Sequence, residues 1–284
     1  MKTDVQEDPF FRRILELLLR SKGFDGNHYK PNYIKRRIAV RMRAMEKGSF
    51  SEYYHLLQRD PKEMGRLLER LTIHVTEFFR DPEVFRSLRQ TVLPLFAGNV
   101  NKNIRVWCAG CSTGEEPYSL AILLQEWAPP LGMGFGILGT DIDPVSVRTA
   151  ERAEYPVESV AKLPRDQVAR WFVKEGGHLR IARELRQKVQ FRTHDLLGPW
   201  GPSMNEFQMI FCRNMLIYLT AVQQQGIYEG FHKALAPGGY LVLGLTETLL
   251  GPSRRFFKCV DIRHRIYRAV ENEGTVTGSE GKNG

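Results

Sequence analysis

From Ile104 onward the chain alternates apolar runs with amphipathic ones, and few folds accept that pattern. IRVWCAG reads as a strand, 116–127 as a helix, FGILGTDID as a second strand and 144–154 as a second helix. FQMIFCRN near residue 210 reads as a buried strand and TAVQQQGIYEGFHKAL as a helix. After the Pro237-Gly238-Gly239 turn, YLVLGL reads as a strand, and FFKCV with HRIYRAV closes the series as a pair. This order predicts a doubly wound α/β sheet, mostly parallel, with an antiparallel edge strand. HLRIA and KVQFRTHD are expected to pair as a small inserted β-subdomain at about 174–194.

The first hundred residues read as wholly helical. Pro9 to Lys22 sets Phe10, Ile14, Leu17 and Leu18 on one face and stops at Gly23. Pro31 opens a second helix, to about residue 47. Its apolar positions are Ile34, Ile38, Met42 and Met45, with Lys35, Arg36, Arg37, Arg41 and Arg43 largely on other faces. Ser49 with Glu52 three residues on is a capping-box pattern for a third. Asp60-Pro61 is an N-cap and first-turn pair for a fourth, running to about Ile73, and Asp81-Pro82 starts another ending near Leu95. The expected organisation is a helical N-terminal domain (1–80), a linker helix (81–97), a sheet domain (98–270) and a disordered tail (271–284) rich in Gly, Glu, Ser and Thr.

Charge is unevenly spread between these parts. Residues 1–80 hold 17 Lys and Arg against 11 Asp and Glu, a net of +6 out of the total +9, and the rest hold 24 against 21. The arginines of the second helix are by default a solvated face. Their concentration favours an acidic partner: nucleic acid, anionic lipid or an acidic protein surface. Four cysteines in 284 residues make no disulfide framework. The opening MKTDVQEDPFF carries acids where a secretion signal needs basic and apolar regions, and no apolar run approaches the roughly 20 residues of a membrane span. The expected location is the cytoplasm.

Residues 107–120, WCAGCSTGEEPYSL, admit two readings. Cys108 and Cys111 form a C-x-x-C pair, the spacing of redox or zinc chemistry, but Cys212 and Cys259 are too scattered to complete a zinc site. The same letters form a glycine turn between strand and helix, with Gly110 and Gly114 as its flexible points. In a doubly wound sheet that turn is where ligands bind. Asp141, 27 residues after Gly114, ends the next strand, where an acid accepts hydrogen bonds from ribose hydroxyls. The G-x-G-x-x-G spacing of dinucleotide sites is absent, and Glu115-Glu116 at the helix start would repel a pyrophosphate. They suit a cationic ligand without phosphate, such as S-adenosylmethionine, or serve only as first-turn acids on the helix dipole.

TEFFRDP, CAGCSTGEEPYSLA, GTDID and FCRNMLIYL, in this order behind a basic helical domain, resemble the CheR-type chemotaxis-receptor methyltransferase family over residues 10–268. The resemblance implies S-adenosylmethionine as cofactor, leaving as S-adenosylhomocysteine, and glutamate side chains of the cytoplasmic helical region of chemoreceptors as acceptors, which become methyl esters. It implies that Thr76 and Arg80 face the cofactor pocket with Gly110, that Glu116 and Asp141 bind the cofactor, and that Arg213-Asn214 lie at the sheet edge. Tyr218 approaches the acceptor, and Arg80 and Tyr218 are the catalytic candidates. His74 stands where the family often has Asn, as a further cofactor contact. Asp195-Leu196 stands where it usually has Asn-Leu beside the adenine. Asp195 keeps the acceptor oxygen and loses the donor, so its backbone is expected to make that contact. Lys35, Arg36, Arg37, Arg41 and Arg43 become the docking face for acidic receptor helices.

A glutamate carboxylate, with an ordinary pKa of about 4.3, is already ionised at neutral pH, so the transfer needs positioning and no general base. His74, His194 and His264 show no metal-ligand spacing and read as structural; no metal is expected. KEGGHLRIA turns quickly, whereas family members that bind a receptor's C-terminal tether peptide generally have a longer glycine loop there. Independence of that peptide is therefore expected; separately, the protein is expected to be a monomer. The rival readings are a nucleic-acid methyltransferase and a cofactor-sensing module without turnover. Against the first, FCRN lacks the Asn/Asp-Pro-Pro-aromatic run with which amino-methylating enzymes grip a base.

Overall fold

Side-chain oxygens start three of the four N-terminal helices. Asp8 accepts from Phe10 N at 2.8 Å and opens α1 (Pro9–Lys22), which ends at Gly23 in the left-handed region with φ 67°. α2 (Pro31–Ala44) follows, then α3 (Phe50–Arg59) and α4 (Pro61–Leu71). Ser49 Oγ accepts from Glu52 N at 3.2 Å, and Glu52 Oε2 accepts from Gly48 N at 3.1 Å, one residue before the position a standard capping box serves. Asp60 accepts from Lys62 N and Glu63 N. The computed structural model describes residues 8–72, 76–97, 103–201, 206–249 and 251–270. The expectations for His74 and for the tail from Glu271 lie outside them.

The four helices enclose one apolar core, with Ile14, Leu18, Ile34, Ile38, Tyr53 and Leu67 fully buried. A charge sits inside it. Glu63, with no exposed surface, accepts from Tyr53 Oη at 2.7 Å and from Arg41 Nε at 2.9 Å. Both hydrogen bonds and the opposite charge are needed to offset its desolvation.

The linker departs from the single helix expected to Leu95. α5 (Pro82–Ser87) gives way to a wide π-type turn over Leu88–Val92 and a tight 3₁₀ turn over Leu93–Phe96. Pro94 lacks the N–H that an α-helix needs and its ring crowds the preceding turn, so α geometry cannot continue. Nor does Asp81 cap α5. Its φ is 55°, and its carboxylate is taken by Arg213.

The remaining chain gives β1 (Asn103–Ala109), α6 (Glu115–Trp127), β2 (Gly134–Asp141), α7 (Pro144–Arg152), β3 (Glu154–Pro156), α8 (Arg165–Trp171), β4 (Phe172–Glu175), β5 (His178–Ile181), α9 (Arg183–Arg186), β6 (Val189–Thr193), β7 (Phe207–Cys212), α10 (Ala221–Ala234), β8 (Leu235–Leu243), β9 (Phe257–Asp261) and β10 (Ile266–Ala269). Seven strands form one sheet in the order β6-β2-β1-β7-β8-β10-β9. The first five run parallel, and β10 is antiparallel to both β8 and β9, which supplies the antiparallel edge. Both faces are covered: Val106 and Cys108 of β1 enter one core, Trp107 and Ala109 the other.

Two expectations are corrected. HLRIA and KVQFRTHD do not pair. β5 lies between β3 and β4 in a separate three-stranded sheet, while β6 runs parallel to β2, from Ile137↔Val189 to Asp141↔Thr193. Alternation marks a strand without naming its partner, and the long crossover after β2 permits parallel pairing. The Pro237-Gly238-Gly239 turn does not precede β8 but lies within it, as an irregularity opposite Gln208. Among the described residues no helix is long and apolar enough to cross a membrane.

Candidate active site

Strand order reverses between β1 and β7, so the connections leaving their carboxyl ends run to opposite sides and leave a crevice. The glycine turn enters it from β1. Gly110 N and Cys111 N donate to Thr140 O at 2.8 and 2.9 Å, which ties the turn to the end of β2. Gly110 and Gly114 adopt φ 79° and 97°, and a Cβ on Gly114 would lie 2.8 Å from Cβ of Ala150. Any larger residue would push α7 away from the turn. Cys108 and Cys111 are free, and burial pushes both thiols above their ordinary pKa, which suppresses thiolate chemistry.

The two first-turn acids separate. Glu115 is buried, accepts from Thr113 Oγ1 at 2.7 Å, and is pushed up in pKa by burial. Glu116 turns to the crevice, where it accepts from Arg213 Nη1 at 2.9 Å. Arg213, 1% exposed at its side chain, also donates through Nη2 to Asp81 Oδ2 at 2.6 Å and to Arg80 O at 3.0 Å. One guanidinium between two carboxylates leaves the cluster a net negative charge. It also holds the end of the TEFFR segment against the sheet. Phe78 is buried against Tyr155 and Phe172, Phe79 donates its N–H to Ser119 Oγ, and Phe79 and Asp81 have left-handed φ of 50° and 55°. Such backbone persists only where surrounding contacts hold it.

Two adjoining chambers result, with two lining residues in common. Thr76, Arg80, Gly110, Ser112, Glu116, Arg213 and Asn214 line the polar one. Asp141, Ile142, Asp195, Leu196, Met215 and Tyr218 line the more apolar one, which shares Gly110 and Asn214 with the first. Asp141 accepts from Ser112 N at 2.8 Å and from Asp143 N at 3.0 Å, so its carboxylate is fixed in direction. Asp195 Oδ1 accepts from Leu197 N at 2.9 Å, a local turn that occupies that side-chain oxygen. Of the basic residues on α2, Arg41 is committed to Glu63, and the Arg37 guanidinium lies 5.4 Å from the Tyr33 ring centroid. None of the five lines either chamber.

Three residues escape the sequence reading. Tyr29 and Tyr33 of the helical domain line the apolar chamber. Glu247, 3% exposed, accepts from Asn214 N, Gly244 N and Ile217 N at 2.9, 2.7 and 3.3 Å, and so fixes the loop that carries Asn214 and Tyr218. Burial raises its pKa against the pull of those amides. Its one sequence signal is an acid just beyond the end of a sheet strand.

The chambers match an S-adenosyl ligand in donor set. Ser112 Oγ, His194 Nε2 and Arg213 Nε are buried there without hydrogen-bond partners, a feature that a polar ligand explains. Glu116 and Asp141 are the acids that would hold its cationic end and its ribose hydroxyls, and apolar side chains flank the remaining space. Burial also lowers the pKa of His194, favouring its neutral form.

A doubly wound sheet with this turn, this strand-end acid and this charge pattern defines an S-adenosylmethionine-dependent methyltransferase. The chain belongs to the CheR methyltransferase family. Residues 74–266 match the model described as "CheR methyltransferase, SAM binding domain" and residues 9–72 the one described as "CheR methyltransferase, all-alpha domain". It is similar to a chemotaxis protein methyltransferase of Listeria monocytogenes, 32% identical over 89% of this chain and 94% of that one. It is also similar to chemotaxis protein methyltransferase 2 of Pseudomonas aeruginosa, 32% identical over 86% and 88%. An uncharacterised 104.1 kDa protein of Rhodobacter capsulatus is 36% identical over 91% of this chain, which spans 27% of that protein.

Proposed function

We propose that the protein transfers the methyl group of S-adenosylmethionine to glutamate side chains in the cytoplasmic helical region of chemoreceptors. The observation that carries this reading is the junction of the chambers at Gly110 and Asn214, with Arg80 lining one side and Tyr218 the other. A guanidinium and a phenol there suit an acceptor that arrives as a carboxylate. The cofactor supplies an electrophilic methyl on a positive sulfonium. Glu116, Asp141 and the glycine turn bind and orient that group, and Arg80 and Tyr218 aim the carboxylate oxygen in line with the methyl carbon. No proton moves. Acceptor and sulfonium charges neutralise as the bond forms, so side chains that exclude water lower the barrier. Arg80 aids transfer only while its grip stays loose, since tight binding of the carboxylate would stabilise the ground state.

Incubation with methyl-labelled S-adenosylmethionine and receptor-bearing membranes, in parallel with RNA and DNA, tests the reading. Alkali-labile label on receptor protein is the expected result. Label on nucleic acid alone, or binding without transfer, would overturn it. The exposed Arg36 and Arg43, with the half-buried Lys35 beside them, provide the charge to meet acidic receptor helices. β4 and β5 are joined by only Gly176 and Gly177, at φ 54° and 89°. We accordingly expect no micromolar binding of a receptor C-terminal tether peptide in calorimetry, and such binding would contradict the tether-independent assignment.

A further inference from the structure

Four aromatic rings form a continuous series from the helical domain to the acceptor-side tyrosine, two stacked pairs followed by the tilted pair of Tyr33 and Tyr218. Centroids lie 5.0 Å apart for Phe24 and Tyr29, 6.2 Å for Tyr29 and Tyr33, and 4.7 Å for Tyr33 and Tyr218. The backbones are joined at the same place. Lys30 N donates to Tyr218 O at 2.9 Å, Lys30 Nζ to Ile217 O at 2.7 Å and Thr220 N to His28 O at 3.0 Å, while Tyr29 and Leu219 form an antiparallel bridge. Tyr33 is itself fixed: it is 6% exposed and its hydroxyl donates to Leu71 O at 2.6 Å. Its ring therefore has one orientation to offer Tyr218.

We propose that Tyr33 is a positioning residue for methyl transfer, holding the Tyr218 ring at the acceptor side of the junction, so that the helical domain completes the reaction site as well as docking. The proposal rests on the acceptor-side role of Tyr218 given above. Without a ring packed against it the Tyr218 side chain gains freedom, and loss of orientation falls on the transfer step more than on ground-state binding.

The test compares kcat and KM on receptor membranes for wild type, Tyr33→Leu, Tyr33→Phe, Tyr218→Ala and the Tyr33→Leu/Tyr218→Ala double variant, with S-adenosylhomocysteine affinity measured by calorimetry. Leucine keeps apolar bulk without a ring face; phenylalanine keeps the ring. Tyr33→Leu is expected to lower kcat about tenfold or more. That loss should exceed its loss of S-adenosylhomocysteine affinity, Tyr33→Phe should restore most of the rate, and Tyr33→Leu should add little once Tyr218 is alanine. Wild-type kcat in Tyr33→Leu, or losses that multiply in the double variant, would overturn the proposal. A wild-type rate in Tyr218→Ala alone would instead remove the acceptor-side reading of Tyr218 beneath it.

Discussion

Replacing Glu116 with alanine is expected to weaken S-adenosylmethionine binding by about ten- to a hundredfold, since a hydrogen bond to a charged group is worth roughly 1.5–3 kcal/mol. The physical cause is the loss of the cluster's net negative charge. With Glu116 present, Arg213 is flanked by two carboxylates and the cluster attracts a cationic ligand. Without it, Arg213 keeps Asp81 alone, and the negative charge facing the polar chamber is lost. Glu116→Gln separates charge from shape, because it keeps the side chain's size and one acceptor oxygen and removes the charge. Calorimetry should show both variants well below wild type, with Gln the better of the two. Unchanged affinity in both would reduce Glu116 to a first-turn acid on the helix dipole.

Arg213→Met is expected to destabilise the protein by about 3–5 kcal/mol, the usual result of removing one partner from a buried ion pair. Here the loss falls on two carboxylates at once, and on the carbonyl of Arg80. The Arg80-Asp81 segment would lose its tie to β7, so the transfer rate should fall with stability. Arg213→Lys restores charge but not the fork that reaches Glu116 and Asp81 together, and should recover only part of either. Urea denaturation of the three proteins measures the effect. A midpoint for Arg213→Met equal to that of wild type would show that the cluster does not hold the linker.

Most of the helical starts could be read from the chain because their causes are local: Asp8, Ser49 and Asp60 cap helices through bonds spanning two or three residues. Asp81 carries the same Asp-Pro signal and behaves differently, because a guanidinium 132 residues away takes its carboxylate. The strand Val189–Thr193 was recognisable as a strand but not as a member of the main sheet, since its partner is set by a crossover and not by its own alternation. The glycine turn and Asp141 carry local signatures of a cofactor site, and the family motifs identify Arg80 and Tyr218 as candidates. Tyr29 and Tyr33 reach the same chamber through tertiary docking alone. In the sequence they resemble ordinary core aromatics, and Glu247 resembles an ordinary surface acid.

Identifying the methylated residue tests the central claim most directly. Receptor-bearing membranes are incubated with the protein and methyl-labelled S-adenosylmethionine, the receptor is digested, and the labelled peptide is sequenced by mass spectrometry before and after mild alkali. The expected result is a methyl group on a glutamate side chain, released as methanol by the alkali. A methyl group that survives alkali, or that sits on a nitrogen or a nucleobase, would contradict the account.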